Sequence, residues 1–283
     1  MRIDAHLHFW KIVRGDYFWM GPHVGSIWRD FLPDDLAPIL EQQGIDATVV
    51  VQAAPTVDET EFLLGLAERD ARIAGVVGWL DLEHDGLEQM LARLGSRPKF
   101  VGVRPMLQDI AEDDWIVRPR VLDSLRMLAE RGLALDFLVL PRHLPYVSRV
   151  LEAVPQLRSV VDHCAKPPLR GENLGPWREQ LARVAAHAAV FCKISGLVTE
   201  ADPVKWRPSD LAPAIEHVLS VFGENRVVFG SDWPVCTLSA SYERVISALL
   251  EVLGGRLTPA LDAKLFGDNA RRLYRLPDYP ESK

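Results

Sequence analysis

An α/β fold of eight parallel strands closed into a (β/α)8 TIM barrel, in a single domain over residues 1–283, is predicted by three features. Short apolar runs alternate with longer segments of helical period, as they do in successive βα units. Eight such runs can be counted along the 283 residues, a length suited to one barrel of about 250 residues. No glycine-rich phosphate loop follows the first run, which argues against an open dinucleotide-binding sheet. No Pro/Gly/Ser-rich linker, composition shift or low-complexity tract divides the chain.

The predicted strands span residues 2–8, 46–52, 75–80, 100–104, 134–138, 158–163, 190–195 and 226–231. Several are nearly unbroken Val, Ile and Leu, the composition of strands covered on both faces. After the second run, Thr56 and Glu59 have the spacing of a capping box, with Phe62, Leu63, Leu66 and Ala67 following at helical period. Residues 120–131 carry Val121, Leu122, Leu125 and Leu128 on one stripe, and Gly132 is placed to end that helix. Ser209 is expected to cap a helix ending near Gly223, and Thr258 a helix beyond the last strand. The tail 277–283 reads as a frayed end.

Hydrophobic residues make up 48% of the chain and charged residues 25%, as in a globular protein with a large core. The net charge of −7 and the scattered Lys and Arg argue against a nucleic-acid or anionic-membrane partner. The segment MRIDAHLHFW lacks the apolar core of a signal peptide. Cys164, Cys192 and Cys236 are few, odd in number and without metal-type spacing, which suits free thiols and a cytoplasmic location.

Candidate chemistry concentrates at strand ends. His6 and His8 stand two apart on the first strand, so both imidazoles point the same way and Leu7 points opposite. Asp232 follows Val227, Val228 and Phe229 at the end of the last strand, where an aspartate needs a partner or a task. Core imidazoles, or a turn aspartate, would explain either signal alone. Barrel closure joins them, because the eighth strand then lies about 4.8 Å from the first. His163 ends the sixth strand at the same rim, the end where such barrels build their sites. Gln52, Arg104, Lys193 and Ser195 place polar heads nearby, and structural ion pairing accounts for Arg104 or Lys193 as well as substrate binding does. Trp10, Trp19 and Trp28 in the early loop, with Trp233 beside Asp232, offer either platforms for a sugar ring or simple packing area. His23, His84, His143, His187 and His217 fall in predicted loops or helices and read as surface or packing residues.

The stretches RIDAHLHFW, VVVQAAPTVDETEFLL, VVGWLDL, GVRPMLQD, VVDHCAKP, FCKISGLVTEAD and VFGSDWPVC together resemble the amidohydrolase superfamily over nearly the whole chain. They are similar to its sugar-lactonase branch, which includes L-fucono- and L-rhamnonolactonases and pyrone-dicarboxylate lactonases. The resemblance implies ring opening of a lactone by water, with His6, His8, His163 and Asp232 as catalytic residues. It further implies one divalent metal, zinc, held by His6, His8 and Asp232 with His163 as fourth ligand or electrophile, and a reaction that does not strictly need it. A second metal is not expected, since strand four ends in Arg104 and strand five, ALDFL, has no histidine.

In the implied mechanism Asp232 is the general base, and His163 polarises the carbonyl. Dicarboxylated lactones call for several arginines, whereas this rim offers mainly Arg104 and Lys193. The expected substrate is therefore a neutral aldonolactone of L-fucose or L-galactose type, in contact with Arg104, Lys193, Gln52, Trp28, Trp10 and Trp233. The competing expectation is a metal-dependent decarboxylase of an aromatic or unsaturated acid on the same fold.

Overall fold

The computed structural model describes residues 1–171 and 173–277; the expected frayed tail, apart from Pro277, lies outside them. Eight strands form one parallel sheet in chain order: β1 (Ile3–Leu7), β2 (Ala47–Val51), β3 (Ile73–Gly78), β4 (Phe100–Val103), β5 (Ala134–Phe137), β6 (Ser159–Val161), β7 (Val190–Ile194) and β8 (Val227–Phe229). The sheet closes on itself. At the end of β1 and just past β8, Leu7 and Trp233 form a parallel bridge, His8 N donates to Trp233 O at 2.7 Å, and Asp232 N donates to His6 O at 2.8 Å. The (β/α)8 barrel anticipated from the alternation is thus the observed fold.

The helices are α1 (Pro33–Gln43), α2 (Val57–Arg69), α3 (Leu87–Gly95), α4 (Pro119–Glu130), α5 (Leu144–Ala153), α6 (Gly175–Ala185), the single turn α7 (Leu197–Glu200), α8 (Pro208–Phe222), α9 (Tyr242–Leu253), α10 (Pro259–Ala263) and α11 (Asn269–Tyr274). Among the described residues, no helix is long and apolar enough to cross a membrane. Thr258 caps α10 as expected, and Gly132 beyond α4 takes φ 68°. The start of α8 differs from expectation: Pro208 occupies the first turn, and Asp210 reaches back to Arg207 N at 2.8 Å, so Ser209 lies inside the helix. The Thr56 hydroxyl accepts from Glu59 N at 3.1 Å, but the Glu59 carboxylate turns instead to the N–H groups of Ala53 and Ala54.

Two apolar layers hold the barrel. The outer layer, including Leu7, Val50, Val76, Val103, Leu135, Val161 and Phe229, packs against the helices. The inner one gathers Ile3, Ala47, Val49, Val101, Ala134, Val160, Phe191 and Val228, and Leu273, Tyr274 and Leu276 join it. The C-terminal helix α11 therefore stoppers the amino ends of the strands. Asn269 Nδ2 fastens it to Val227 O at 2.7 Å, and Arg158 Nη1 to Leu273 O at 2.6 Å. Above this floor, a cavity opens at the carboxyl ends.

Candidate active site

β1 is not a regular strand. Its register against β2 shifts between Asp4 and Leu7, and buried Asp4 spans the irregularity. Its Oδ1 accepts from His6 N at 3.1 Å and from Ser231 N at 2.9 Å, while Oδ2 accepts the Tyr242 hydroxyl at 2.9 Å. One carboxylate thus joins β1, the end of β8 and α9. Bulges of this kind re-aim side chains next to sites; here His6 and His8 both face Asp232.

Asp232 stands just past β8 with φ 59°. Its Oδ1 lies 3.2 Å from His8 Nε2, 3.7 Å from His6 Nε2 and 4.0 Å from His163 Nε2. Burial alone would raise its carboxyl. The His163 imidazole, the bond from His8 and the His6 ring reverse this and hold it below the usual carboxylate range. His163, just past β6, has φ 51° and is pushed down to about 4 by burial, against the pull of Asp232 and Asp162. His6 is likewise lowered by burial and by Lys193, against Asp162. A carboxylate ringed by three imidazoles results.

The other ring nitrogens are also held. His8 Nδ1 donates to Val51 O at 2.8 Å, which fixes the ring with Nε2 toward Asp232 and the cavity. His163 Nδ1 lies 2.9 Å from Ser195 Oγ, and His6 Nδ1 lies 3.1 Å from Lys193 Nζ. The nitrogens of His6 and His8 and the carboxylate of Asp232 lie within 4.8 Å of one another, as do ligand atoms of His6, Asp162 and His163. Two imidazoles, one carboxylate and a side open to the cavity make a donor set suited to one divalent cation.

Beneath this ring runs a column of buried charge. Lys193 bonds Asp136 and lies 3.0 Å from Asp162 Oδ1. The Tyr274 hydroxyl donates to Asp136 Oδ2 at 2.8 Å. Burial pushes Asp136 up to about 6, against Lys193. Asp162 is held well below its ordinary value: Lys193 and His6 overcome its burial. Arg104 Nη1 lies 3.4 Å from both Asp162 Oδ2 and His6 Nε2, and its Nη2 donates to Gln52 O. Gln52 Nε2 returns a bond to Arg104 O at 2.8 Å, so Gln52 ties the ends of β2 and β4.

Above the ring lies a cavity of about 190 Å³ lined by His8, Trp19, Arg104, His163, Asp232 and eight further residues, among them Gln108, Lys166 and Glu200. Of the residues expected to touch substrate, Arg104 lines it. Lys193 and Gln52 lie beneath, engaged in the pairings above. Trp10 is fully buried, with its indole N–H on Arg29 O at 2.7 Å and its ring against Trp19 and Phe31. Trp233 packs on Phe9 and Phe31. Trp28, 45% exposed, is not among the lining residues. Trp19 faces the cavity instead and is anchored by its N–H on Ala53 O at 2.7 Å. His143 is a packing residue, its Nδ1 accepting from Leu140 N at 3.1 Å. Asp136 and Asp162, not singled out by strand-end position, carry another mark: carboxylates beside apolar strand runs are costly unless paired.

A closed parallel barrel that gathers imidazoles and carboxylates at the carboxyl ends of its strands has the architecture of a hydrolytic enzyme. Residues 3–276 match the family model described as Amidohydrolase, and the chain belongs to that family. It is 41% identical over 280 residues to L-fucono-1,5-lactonase of Burkholderia ambifaria, covering 97% of this chain and 96% of the relative. It is 40% identical over 300 residues to L-fucono-1,5-lactonase of Burkholderia multivorans, covering 100% and 99%. A crystal structure of an amidohydrolase from Burkholderia multivorans with bound zinc has a TM-score of 0.93 at 40% identity, covering 98% of this chain and 100% of that one.

Proposed function

We propose that the protein hydrolyses a sugar lactone, an aldonolactone of L-fucono-1,5-lactone type, by water that Asp232 deprotonates. The observation that carries this reading is the Asp232 carboxylate among three imidazoles on the floor of the cavity. Two relatives that match over almost their whole length, at 40–41% identity, are L-fucono-1,5-lactonases.

Water oxygen attacks the lactone carbonyl carbon as Asp232 takes its proton. His163, neutral in this setting, donates Nε2–H to the developing oxyanion; the Ser195 hydroxyl supports that tautomer by donating to Nδ1. Arg104 adds positive charge at the same wall. The ring C–O bond then breaks, and the leaving oxygen recovers the proton from Asp232, yielding one hydroxy acid. With His163 acting as donor, His6, His8 and Asp232 are the residues that would hold a divalent metal such as zinc. Bound there, the metal would polarise carbonyl or water, assisting a ring opening that does not depend on it.

The test is a pH-indicator assay over a panel of aldonolactones, with and without chelator. Asp232→Asn is expected to lower kcat by about 10³-fold with little change in KM. Near wild-type turnover by that variant would remove Asp232 as base. Activity confined to carboxylic-acid substrates and abolished by chelation would favour the decarboxylase reading instead.

A further inference from the structure

Three of the stretches noted above contribute residues to the cavity that the ring opening does not use: Gln108 from GVRPMLQD, Lys166 from VVDHCAKP, and Thr199 and Glu200 from FCKISGLVTEAD. Lys166 owes its position to an unusual turn. His163, Cys164, Ala165 and Lys166 have φ of 51°, 53°, 58° and 49°. None is glycine, and each left-handed residue brings its Cβ too close to the following carbonyl oxygen. Tight helical turns eclipse residues three apart, and here His163 and Lys166 both line the cavity. Strain held at non-glycine positions gathers where geometry serves a ligand.

Beside this turn, α7 supplies Glu200, whose Oε1 lies 3.7 Å from Lys166 Nζ. The two side chains are 23% and 26% exposed, open enough to meet a ligand. Arg170 fixes their spacing by donating to Thr199 O at 3.0 Å and Ala201 O at 3.1 Å. Arg104 is committed to Asp162 and the Gln52 carbonyl, and Asp232 to the imidazoles. Lys166 and Glu200 therefore face the cavity as a balanced pair, offering ammonium donors and carboxylate acceptors without a net pull on an anion.

We propose that Lys166 and Glu200 form a hydroxyl-reading subsite that sets specificity for a polyhydroxylated ring. Glu200 accepts from two neighbouring ring hydroxyls, and Lys166 donates to one of their oxygens, as charge-assisted bonds. The proposal rests on the lactone-hydrolysis reading and names the part of the substrate that is recognised. A site built to bond a hydroxyl discriminates strongly against an analogue lacking it, because its own polar groups are then left unpaired.

Selectivity is the readout: kcat/KM for L-fucono-1,5-lactone divided by kcat/KM for δ-valerolactone, which has the six-membered ring and no hydroxyls. In Glu200→Ala and Lys166→Met this ratio should fall about 100-fold, mostly through KM for the hydroxylated ring. Glu200→Gln, which retains one acceptor, should lose less. Circular dichroism confirms that each variant is folded. Equal losses on both lactones, or an unchanged ratio, would overturn the subsite while leaving lactone hydrolysis standing. A wild-type protein that opens neither ring would defeat the underlying reading itself.

Discussion

At the scale of single residues, Glu59 shows how a correct local motif hides a second role. Its spacing from Thr56 marks a helix start, and the Thr56 hydroxyl does cap α2. The carboxyl, however, is buried against Ala53 N and Ala54 N, at 3.0 and 2.8 Å. Burial pushes it from an ordinary 4.5 up to about 8, against those two N–H groups. Between these values the unfolded chain has released the proton and the folded chain retains it. Stability should therefore fall as pH rises from about 4.5 to 8, by at most about 1.4 kcal/mol per pH unit. Thermal melts of wild type and Glu59→Gln across that range test this; parallel curves would show that Glu59 does not titrate there. Residue type and strand position made His6, His8, His163 and Asp232 legible, since period two and barrel closure suffice to bring them together. Lys166 and Glu200 had no such signal, because loop and one-turn geometry brings them to the cavity and no sequence periodicity encodes that. The tryptophans left two readings open, because large aromatic area serves packing as readily as binding; Trp10 and Trp233 are packed.

At the scale of elements, the strands end sooner than their apolar runs suggest, β6 at Val161 and β8 at Phe229. His163 and Asp232 follow in left-handed backbone rather than in the ladder. The departure is local: the residues remain at the carboxyl rim, but their direction comes from turns whose φ values composition does not announce. One such turn needs a particular neighbour. Gly196, after β7, has φ 65°, and a Cβ there would lie 2.5 Å from His163 Nδ1. Gly196→Ala should displace the imidazole and reduce kcat by roughly 10²-fold, the effect of about 1 Å misplacement of a reacting group. An unaltered kcat would show that His163 has freedom to move.

At the scale of the whole molecule, the βα alternation was enough to foresee the barrel, because eight strands buried on both faces have few other ways to close. What alternation does not reveal is the stopper. Tyr274 in α11 reaches through the inner apolar layer to Asp136 and so supports Lys193 under His6. Tyr274→Phe should cost about 1–3 kcal/mol, since Asp136 loses a buried donor; a calorimetric melt matching wild type would refute that support. The arrangement also orders events during synthesis. His6 and His8 are translated well ahead of α11, whose Tyr274 belongs to their foundation. A nascent chain therefore cannot complete the support of this centre until α11 has been made, and a protein shortened before Asn269 would keep Asp232 and its three imidazoles over a barrel floor without Tyr274 and Leu276.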